Sequence, residues 1–298
     1  MKIALCFIIS YDHILNKEHI WRDWIKTNED IINVYFYYKD ITKIKSKWML
    51  EHVLPEIYIK KTSYFQVIPA YISLMRYALN HDNKNQWFCF LTDSCCPIIS
   101  PKRFRYLFYK YYDKSIMSWR EAWWNINYHK RANLALLPEK YRLANDSWFI
   151  LKSEDVVRCL TFVKNNSQIT NTICKGGLAN ESLFAIILHS YDELKNNVIC
   201  SVTHMTDWNR MSSSTSPHLF KKGDETDIKF IEESLKENKF AVFIRKISPE
   251  FPDEIINNYI YNHSKNDDTL FMQPISFYQF NIIINIIIFI FVIYFFLI

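Results

Sequence analysis

WFCFLTDSCCPIISPKRF, residues 87–104, runs from five apolar side chains into Thr92, Asp93, Ser94, Cys95, Cys96 and Pro97, and then into the start of a basic helix. A strand that is apolar at consecutive positions, with no alternation, is one covered on both faces. The stretch therefore predicts an inner strand of an α/β sheet whose end delivers an acid and two thiols. In open α/β sheets ligands bind beyond the carboxyl ends of the strands, at a topological switch point. Asp93 and Ser94 fall at such an end, where polar groups can meet a ligand. The same residues also fit a strand-to-helix turn in which Asp93 bonds nearby backbone amides and Pro97 stops the strand. The local stretch leaves both readings open.

Working outward, similar apolar runs recur at residues 2–10, 32–38, 147–152, 198–204 and 239–246. Helical patterns lie between several of them. EHIWRDWI puts Ile20, Trp21, Trp24 and Ile25 on one face, and Phe65, Ile68, Ile72, Met75 and Leu79 recur at helical spacing. SEDVVRCLTFV begins with Ser153 as a candidate N-cap and an acidic first turn, and TDIKFIEESLKEN near 226–238 begins in the same manner. Strands alternating with helices predict an α/β domain, residues 1–256, built on a mainly parallel sheet flanked by helices. A polar tether, 257–279, follows.

FNIIINIIIFIFVIYFFLI, residues 280–298, holds 19 residues without a charge. At ~1.5 Å per residue it would extend about 28 Å, close to the ~30 Å hydrocarbon core of a bilayer. An all-round apolar surface has lipid as its natural partner, so the segment predicts a single membrane helix, with Asn281 and Asn285 one turn apart on one face. The opening MKIALCFIISYDH has no small-residue cleavage site and reads as a first strand, not a signal peptide.

Composition removes several classes. With only Gly176, Gly177 and Gly223, no GxGxxG, P-loop or GxSxG motif can be written. The net charge of +5 is dispersed, and no basic stripe interleaved with aromatics points to nucleic acid. Seven cysteines, an odd number lying mostly in apolar runs without CxxC spacing, predict buried free thiols and neither a disulfide framework nor a zinc site.

Taken in order, KIALCFIIS…IWRDWI, INVYFYYKD, LMRYAL, WFCFLTDSCCPIISPKRF, NDSWFILKSEDVVRCL, ANESLFAIIL, THMTDWNR…SPHLF and FAVFIRKISPEF form a collinear series over about residues 2–252. The series resembles the core-2/I-branching β-1,6-N-acetylglucosaminyltransferase family, which also includes the peptide xylosyltransferases. Thr92–Ile98 matches the family's Ser-Glu-Ser-x-x-Pro-Leu strand end. Asp146-Ser147-Trp148-Phe149 matches its Gly-Ser-Gln-Trp-Phe strand, with neither the Gly nor the Gln. Ala179-Asn180-Glu181 matches its Pro-Asp-Glu helix start, with Asn in place of Asp, and Phe243–Ile247 matches its Phe-Ala-Arg-Lys-Phe strand end.

The resemblance implies a GT-A-like, Rossmann-like fold, a UDP-sugar donor and inverting transfer without a metal cofactor. GT-A enzymes usually hold a divalent cation with Asp-x-Asp, and this chain contains no Asp-x-Asp. Charge builds on the phosphate as the glycosidic bond breaks, so lysine and arginine must then supply the stabilising cation. Lys246 occupies the family's position for one such cation, with Arg245 beside it; Lys222 and Lys221 are weaker matches for a second. Inversion also needs a base to take the acceptor's proton, and Glu181 matches the family's base. A helix start, with Asn180 as N-cap and Glu181 as a first-turn acid, accounts for the same two residues. Trp208 matches a tryptophan near the acceptor, and Asp93, Ser94, Ser147, Trp148 and Arg210 are further donor or acceptor contacts, with Trp119 another candidate platform.

The expected reaction is transfer of N-acetylglucosamine from UDP-GlcNAc to a sugar hydroxyl, with xylose transfer as the alternative within the family. A catalytically inert GT-A-like module that binds glycans or partners at a membrane is the rival from another class, and an unrelated α/β membrane scaffold is a third. Asn180-Glu-Ser fits the N-glycosylation pattern, and a glycan there would obstruct Glu181. The expectation is therefore a cytosol-facing domain anchored by its C-terminal helix; glycans on Asn145, Asn165 or Asn262 would contradict it.

Overall fold

The computed structural model describes residues 1–10 and 12–262. The membrane helix expected at 280–298, and the tether beyond residue 262, lie outside the described residues. Among the described residues no helix is long and apolar enough to cross a membrane.

The chain opens with β1 (Lys2–Ile8), α1 (Glu18–Lys26) and β2 (Ile32–Tyr37), a first βαβ unit. After α2 (Lys47–Leu50) and α3 (Ile68–His81) it enters β3 (Asn85–Thr92), then the two-residue β4 (Cys96–Pro97) and α4 (Pro101–Tyr111). Four short strands follow: β5 (Ser115–Ile116), β6 (Trp119–Glu121), β7 (Leu143–Asn145) and β8 (Ile150–Lys152). A helical run comes next: α5 (Ser153–Asn165), α6 (Ser167–Lys175), α7 (Leu183–Ser190) and α8 (Glu193–Asn196). The last elements are β9 (Val198–Ile199), β10 (His204–Thr206), α9 (Glu225–Glu237), β11 (Phe243–Arg245) and α10 (Asp253–Asn257).

The main sheet has the order β2-β1-β3-β8-β5-β9. Successive side chains of a strand point to opposite faces, and both faces of this sheet are covered. Ile3, Leu5 and Phe7 of β1 pack in one core with Trp21 and Trp24 of α1, while Ala4 and Cys6 pack in another with Tyr71, Leu74 and Met75 of α3. β3 divides in the same manner, Trp87, Cys89 and Leu91 against Phe88 and Phe90. The unbroken apolar runs thus have their cause in a three-layer α/β/α arrangement. Ile256, Tyr259 and Ile260 are buried in the first of these cores, so packed structure continues past residue 256.

Several local expectations need correction. Pairing is parallel for β1/β2, β1/β3 and β5/β9, but antiparallel for β3/β8 and β5/β8, so the sheet is parallel-rich and mixed. The run at 198–204 is split: β9 ends the main sheet, and β10 belongs to a second sheet, β10-β11-β4. Pro97 does not stop a strand but sits in β4 on the edge of that second sheet, where a missing N–H is tolerated. Ser153 is the first residue of α5, and its hydroxyl donates to Gln86 Oε1 at 3.0 Å instead of capping the helix. Asp224, not Thr226, caps α9 by accepting from the Asp227 amide at 3.0 Å.

The decisive stretch therefore crosses from one sheet to the other. β3 ends at Thr92, and four residues later β4 pairs with β11. Two indoles of α1 hold the crossing: Trp21 Nε1 donates to the Cys95 carbonyl at 3.0 Å, and Trp24 Nε1 to that of Ile99 at 2.9 Å. Buried tryptophans combine a large apolar body with one donor that must be satisfied, and here both donors fix the loop carrying Asp93 and Ser94.

Candidate active site

Three chain ends meet at this crossing. The Ser10 amide, beyond β1, donates to Asp93 Oδ2 at 2.7 Å, and the Asn16 amide donates to the Asp93 carbonyl at 2.9 Å. The Ile247 amide, beyond β11, donates to the Ser94 carbonyl at 2.8 Å, while Asn16 Nδ2 donates to the Ile247 carbonyl at 2.8 Å. Asp93 thus bonds an amide distant in sequence and ties two strand ends together, which is more than a local turn requires. Burial pushes its carboxyl above the usual range, with the Ser10 hydrogen bonds and Arg245 pulling the other way. Ser94 Oγ lies 3.1 Å from Thr92 Oγ1.

Arg245 and Lys246 leave the end of β11 beside Asp93. The Arg245 guanidinium lies over the Trp148 ring, 5.0 Å from its centroid. Lys246 Nζ donates to Ser216 Oγ at 2.9 Å; its ammonium is pushed below the usual lysine range by burial and by Arg245, against the pull of Asp93. His204, 6 % exposed, stands 6.4 Å from Trp148, centroid to centroid. Burial, then Arg245, holds its imidazole well below the usual range, so it is neutral at pH 7.

Three buried nitrogens in this patch, Trp148 Nε1, His204 Nε2 and Arg245 Nε, have no hydrogen-bond partner among the described residues. Buried polar atoms are nearly always satisfied, and these three, among eight such side-chain atoms in the described residues, leave polar capacity open around Trp148 and Arg245.

Glu181 stands across the same surface. Asn145, at the end of β7, donates from Nδ2 to the Asn180 carbonyl at 2.8 Å and accepts the Ala185 amide at 3.2 Å, fixing the turn Ala179–Glu181. Asn180 does not cap a helix. Its side-chain Nδ2 donates to Ser147 Oγ at 3.1 Å, Ser147 Oγ donates to Glu181 Oε1 at 3.3 Å, and α7 starts only at Leu183. The other carboxylate oxygen, Oε2, lies 3.6 Å from Arg131 Nη1, and the side chain keeps 26 % of its exposure. Burial raises the Glu181 pKa, with Arg131 and Ser147 opposing, Asp146 reinforcing and Arg245 opposing. A half-buried carboxylate with a raised pKa and solvent access is suited to accept a proton near neutral pH.

Ser147 and its neighbour Trp148 bridge the two halves, one holding Glu181 and the other lying under Arg245. Asp93, Ser94, Ser147, Trp148, Glu181, Arg245 and Lys246 are thus brought into one contiguous surface. The other sequence candidates, Trp208, Arg210, Lys221 and Lys222, lie on the segment that follows β10. Arg210 is fastened to two buried carboxylates, its Nε 2.6 Å from Asp207 Oδ2 and its Nη1 2.9 Å from Asp227 Oδ1. It ties the Trp208 loop to α9, while its Nη2 has no hydrogen-bond partner among the described residues. Trp208 itself is 53 % exposed. Lys221 and Lys222 are exposed and follow Phe220, whose amide donates to the Lys246 carbonyl at 2.9 Å; the charge of Lys221 helps hold Glu250 below its usual pKa. Reasoning from sequence missed His204 and Arg131. His204 lay within a recognised segment, whereas Arg131 opens the short 3-10 segment Arg131–Leu136, which carries no periodic pattern in the sequence.

Among the described residues no group of three or more His, Cys, Asp or Glu side chains is gathered as metal ligands. What the surface offers is two adjacent cations and unsatisfied N–H donors at one end, and a carboxylate at the other.

A family model described as Core-2/I-Branching enzyme matches residues 33–235, about two thirds of the chain. The chain belongs to this family, and its members are glycosyltransferases. The mixed α/β fold with its parallel-rich sheet fits the GT-A-like architecture expected from sequence. The matched span contains Asp93, Ser147, Trp148 and Glu181 but ends before Arg245 and Lys246. No curated protein matches the chain.

Proposed function

We propose that the protein is an inverting, metal-independent glycosyltransferase that moves N-acetylglucosamine from UDP-GlcNAc to a sugar hydroxyl of a glycan acceptor, in a β-1,6 branching linkage. One observation carries the reading: Ser147 and Trp148, adjacent in sequence, join the Glu181 carboxylate to the Arg245–Lys246 pair across one surface at the strand ends. Glu181 takes the proton of the acceptor hydroxyl as it attacks the anomeric carbon. The departing UDP, gaining negative charge, is received by Arg245 and Lys246, with the Trp148 indole as a neutral donor. The lowered pKa of Lys246 accords with this role, since a desolvated ammonium gains most from a dianion placed beside it.

We also place residues 1–256 on the cytosolic side of a membrane anchored by 280–298. The glycosylation patterns at Asn145 and Asn180 support this placement. Both side chains are buried, 3 % and 6 % exposed, and both amides hold the Glu181 turn, so a glycan on either would dismantle the site.

The test is UDP release from a panel of UDP-sugars, UDP-xylose included, in excess chelator, comparing the native chain with Glu181→Gln. The reading requires chelator-resistant release, fastest with UDP-GlcNAc and lost in the variant. Nucleotide binding without turnover would instead mark a binding module.

A further inference from the structure

We propose that the acceptor is an acidic sugar, whose carboxylate or sulfate is held in a cationic pocket that opens beside Glu181. The proposal rests on the glycosyl-transfer reading above and names the acceptor class of that same site. The pocket is a shallow hollow of about 340 Å³, wide open to solvent; its lining carries His129, Lys130, Arg131 and Lys175 and no aspartate or glutamate. Arg131 belongs to both places, lining the pocket and standing 3.6 Å from Glu181 Oε2. Leu178, also in the lining, accepts the Glu181 amide at 2.9 Å. A group bound there is therefore within one side chain of the base.

The concavity is built into the backbone. The segment carrying Lys130 and Arg131 packs so tightly on Gly176 that a Cβ there would lie 2.1 Å from the Asn133 nitrogen. The Ala132 amide donates to the Gly177 carbonyl at 2.9 Å, and the Leu178 amide to the Phe65 carbonyl at 2.8 Å. Ala132, Asn133 and Leu178 all hold left-handed φ angles, 50°, 50° and 49°, conformations that persist only where the surroundings impose them. Phe65, in the lining and 47 % exposed, offers a ring face for a sugar. Apolar surface for the sugar, cations for its acid and a base for its hydroxyl thus follow one another across the pocket mouth. A neutral acceptor would bring no anion to Lys130, Lys175 and His129, whereas Arg131 already meets Glu181.

The test is tryptophan-fluorescence titration of the full chain, with UDP present, using p-nitrophenyl β-glucuronide and p-nitrophenyl β-glucoside, which differ by one carboxylate. The glucuronide should bind about tenfold more tightly, the size expected of a few partly exposed charge contacts. That margin should shrink with added salt, as the screening length falls from ~10 Å at 0.1 M to ~3 Å at 1 M. The double variant Lys130→Glu/Lys175→Glu should abolish the preference, while Lys130→Arg/Lys175→Arg retains it and guards against misfolding as the cause. Equal affinities, no binding of either glycoside at millimolar concentration, or a preference that survives charge reversal overturns the proposal. UDP affinity in the same preparation reports separately on the transfer reading, so intact UDP binding with no acid preference defeats this inference alone.

Discussion

Glu181 is half-buried and His204 buried, and burial pushes their pKa values in opposite directions. For Glu181 the folded pKa is raised, so its carboxylate destabilises the fold once pH rises through that value. Glu181→Gln should therefore abolish turnover, by ~10²–10⁴-fold or more, while leaving a Tm at pH 8 at least as high as that of the native chain. A calorimetric scan checks the second half; a clear drop in Tm would make Glu181 a structural residue. The same shift places the acidic limb of the rate profile above the usual carboxylate range. His204 carries the reverse sign. Its folded pKa is depressed, so the stability tied to the neutral ring is complete above the unfolded value of about 6.5 and is lost as pH falls below it. Melting temperatures followed from pH 7 to pH 5 should fall more steeply for the native chain than for His204→Phe, and parallel curves would refute the assignment. Sequence exposed the identity of Glu181 but not its setting: the bonds from Asn180 and Ser147 depend on β7 and the turn being folded together.

At the level of elements, the strands were legible because burial on both faces leaves long apolar runs. β1 and β2 fall within the expected segments, β3 begins two residues ahead of its own, and α1 buries the four residues its spacing singles out. α3 buries Tyr71, Leu74, Met75 and Ala78, while Phe65 of the expected face lies before the helix and is 47 % exposed. Direction and sheet membership were not legible. An apolar residue reads alike in parallel and antiparallel pairs, so the reversal of β8 and the split between β9 and β10 leave no mark in hydropathy. Caps failed for a related reason: Ser153 found the distant Gln86 before its own helix amides. The Gly176 contact was equally hidden, since it joins α6 to a loop more than forty residues earlier. Gly176→Ala should cost about 1–3 kcal/mol through overpacking and displace Arg131 from Glu181. Denaturant unfolding measures the first, and a downward move in the acid limb of the rate profile would not be expected, since losing the cation raises the carboxyl pKa further. An unchanged midpoint would mean that the loop yields freely.

Across the whole molecule, two cores sandwich the main sheet, and the second sheet packs its strand β11 so that Arg245 and Lys246 emerge where β1 and β3 end. Family membership and the α/β class were readable from the collinear motif series, whereas the cationic end of the site needed the junction between the sheets. The proposed placement in the cell rests on the burial of Asn145 and Asn180. Expressed in cells, the full chain should show no mass shift on treatment with an N-glycan-cleaving enzyme; a glycan on Asn145 or Asn180 would contradict the cytosolic placement. The central claim is that protein cations do the work on the departing diphosphate. Its most direct measurement is calorimetric binding of UDP and of uridine to the full chain in excess chelator. The account predicts UDP tighter than uridine by on the order of 100-fold, from two charge-assisted contacts, and collapse of that margin in Arg245→Ala/Lys246→Ala. A margin that survives the double variant, or one that appears only when a divalent cation is added, would contradict it.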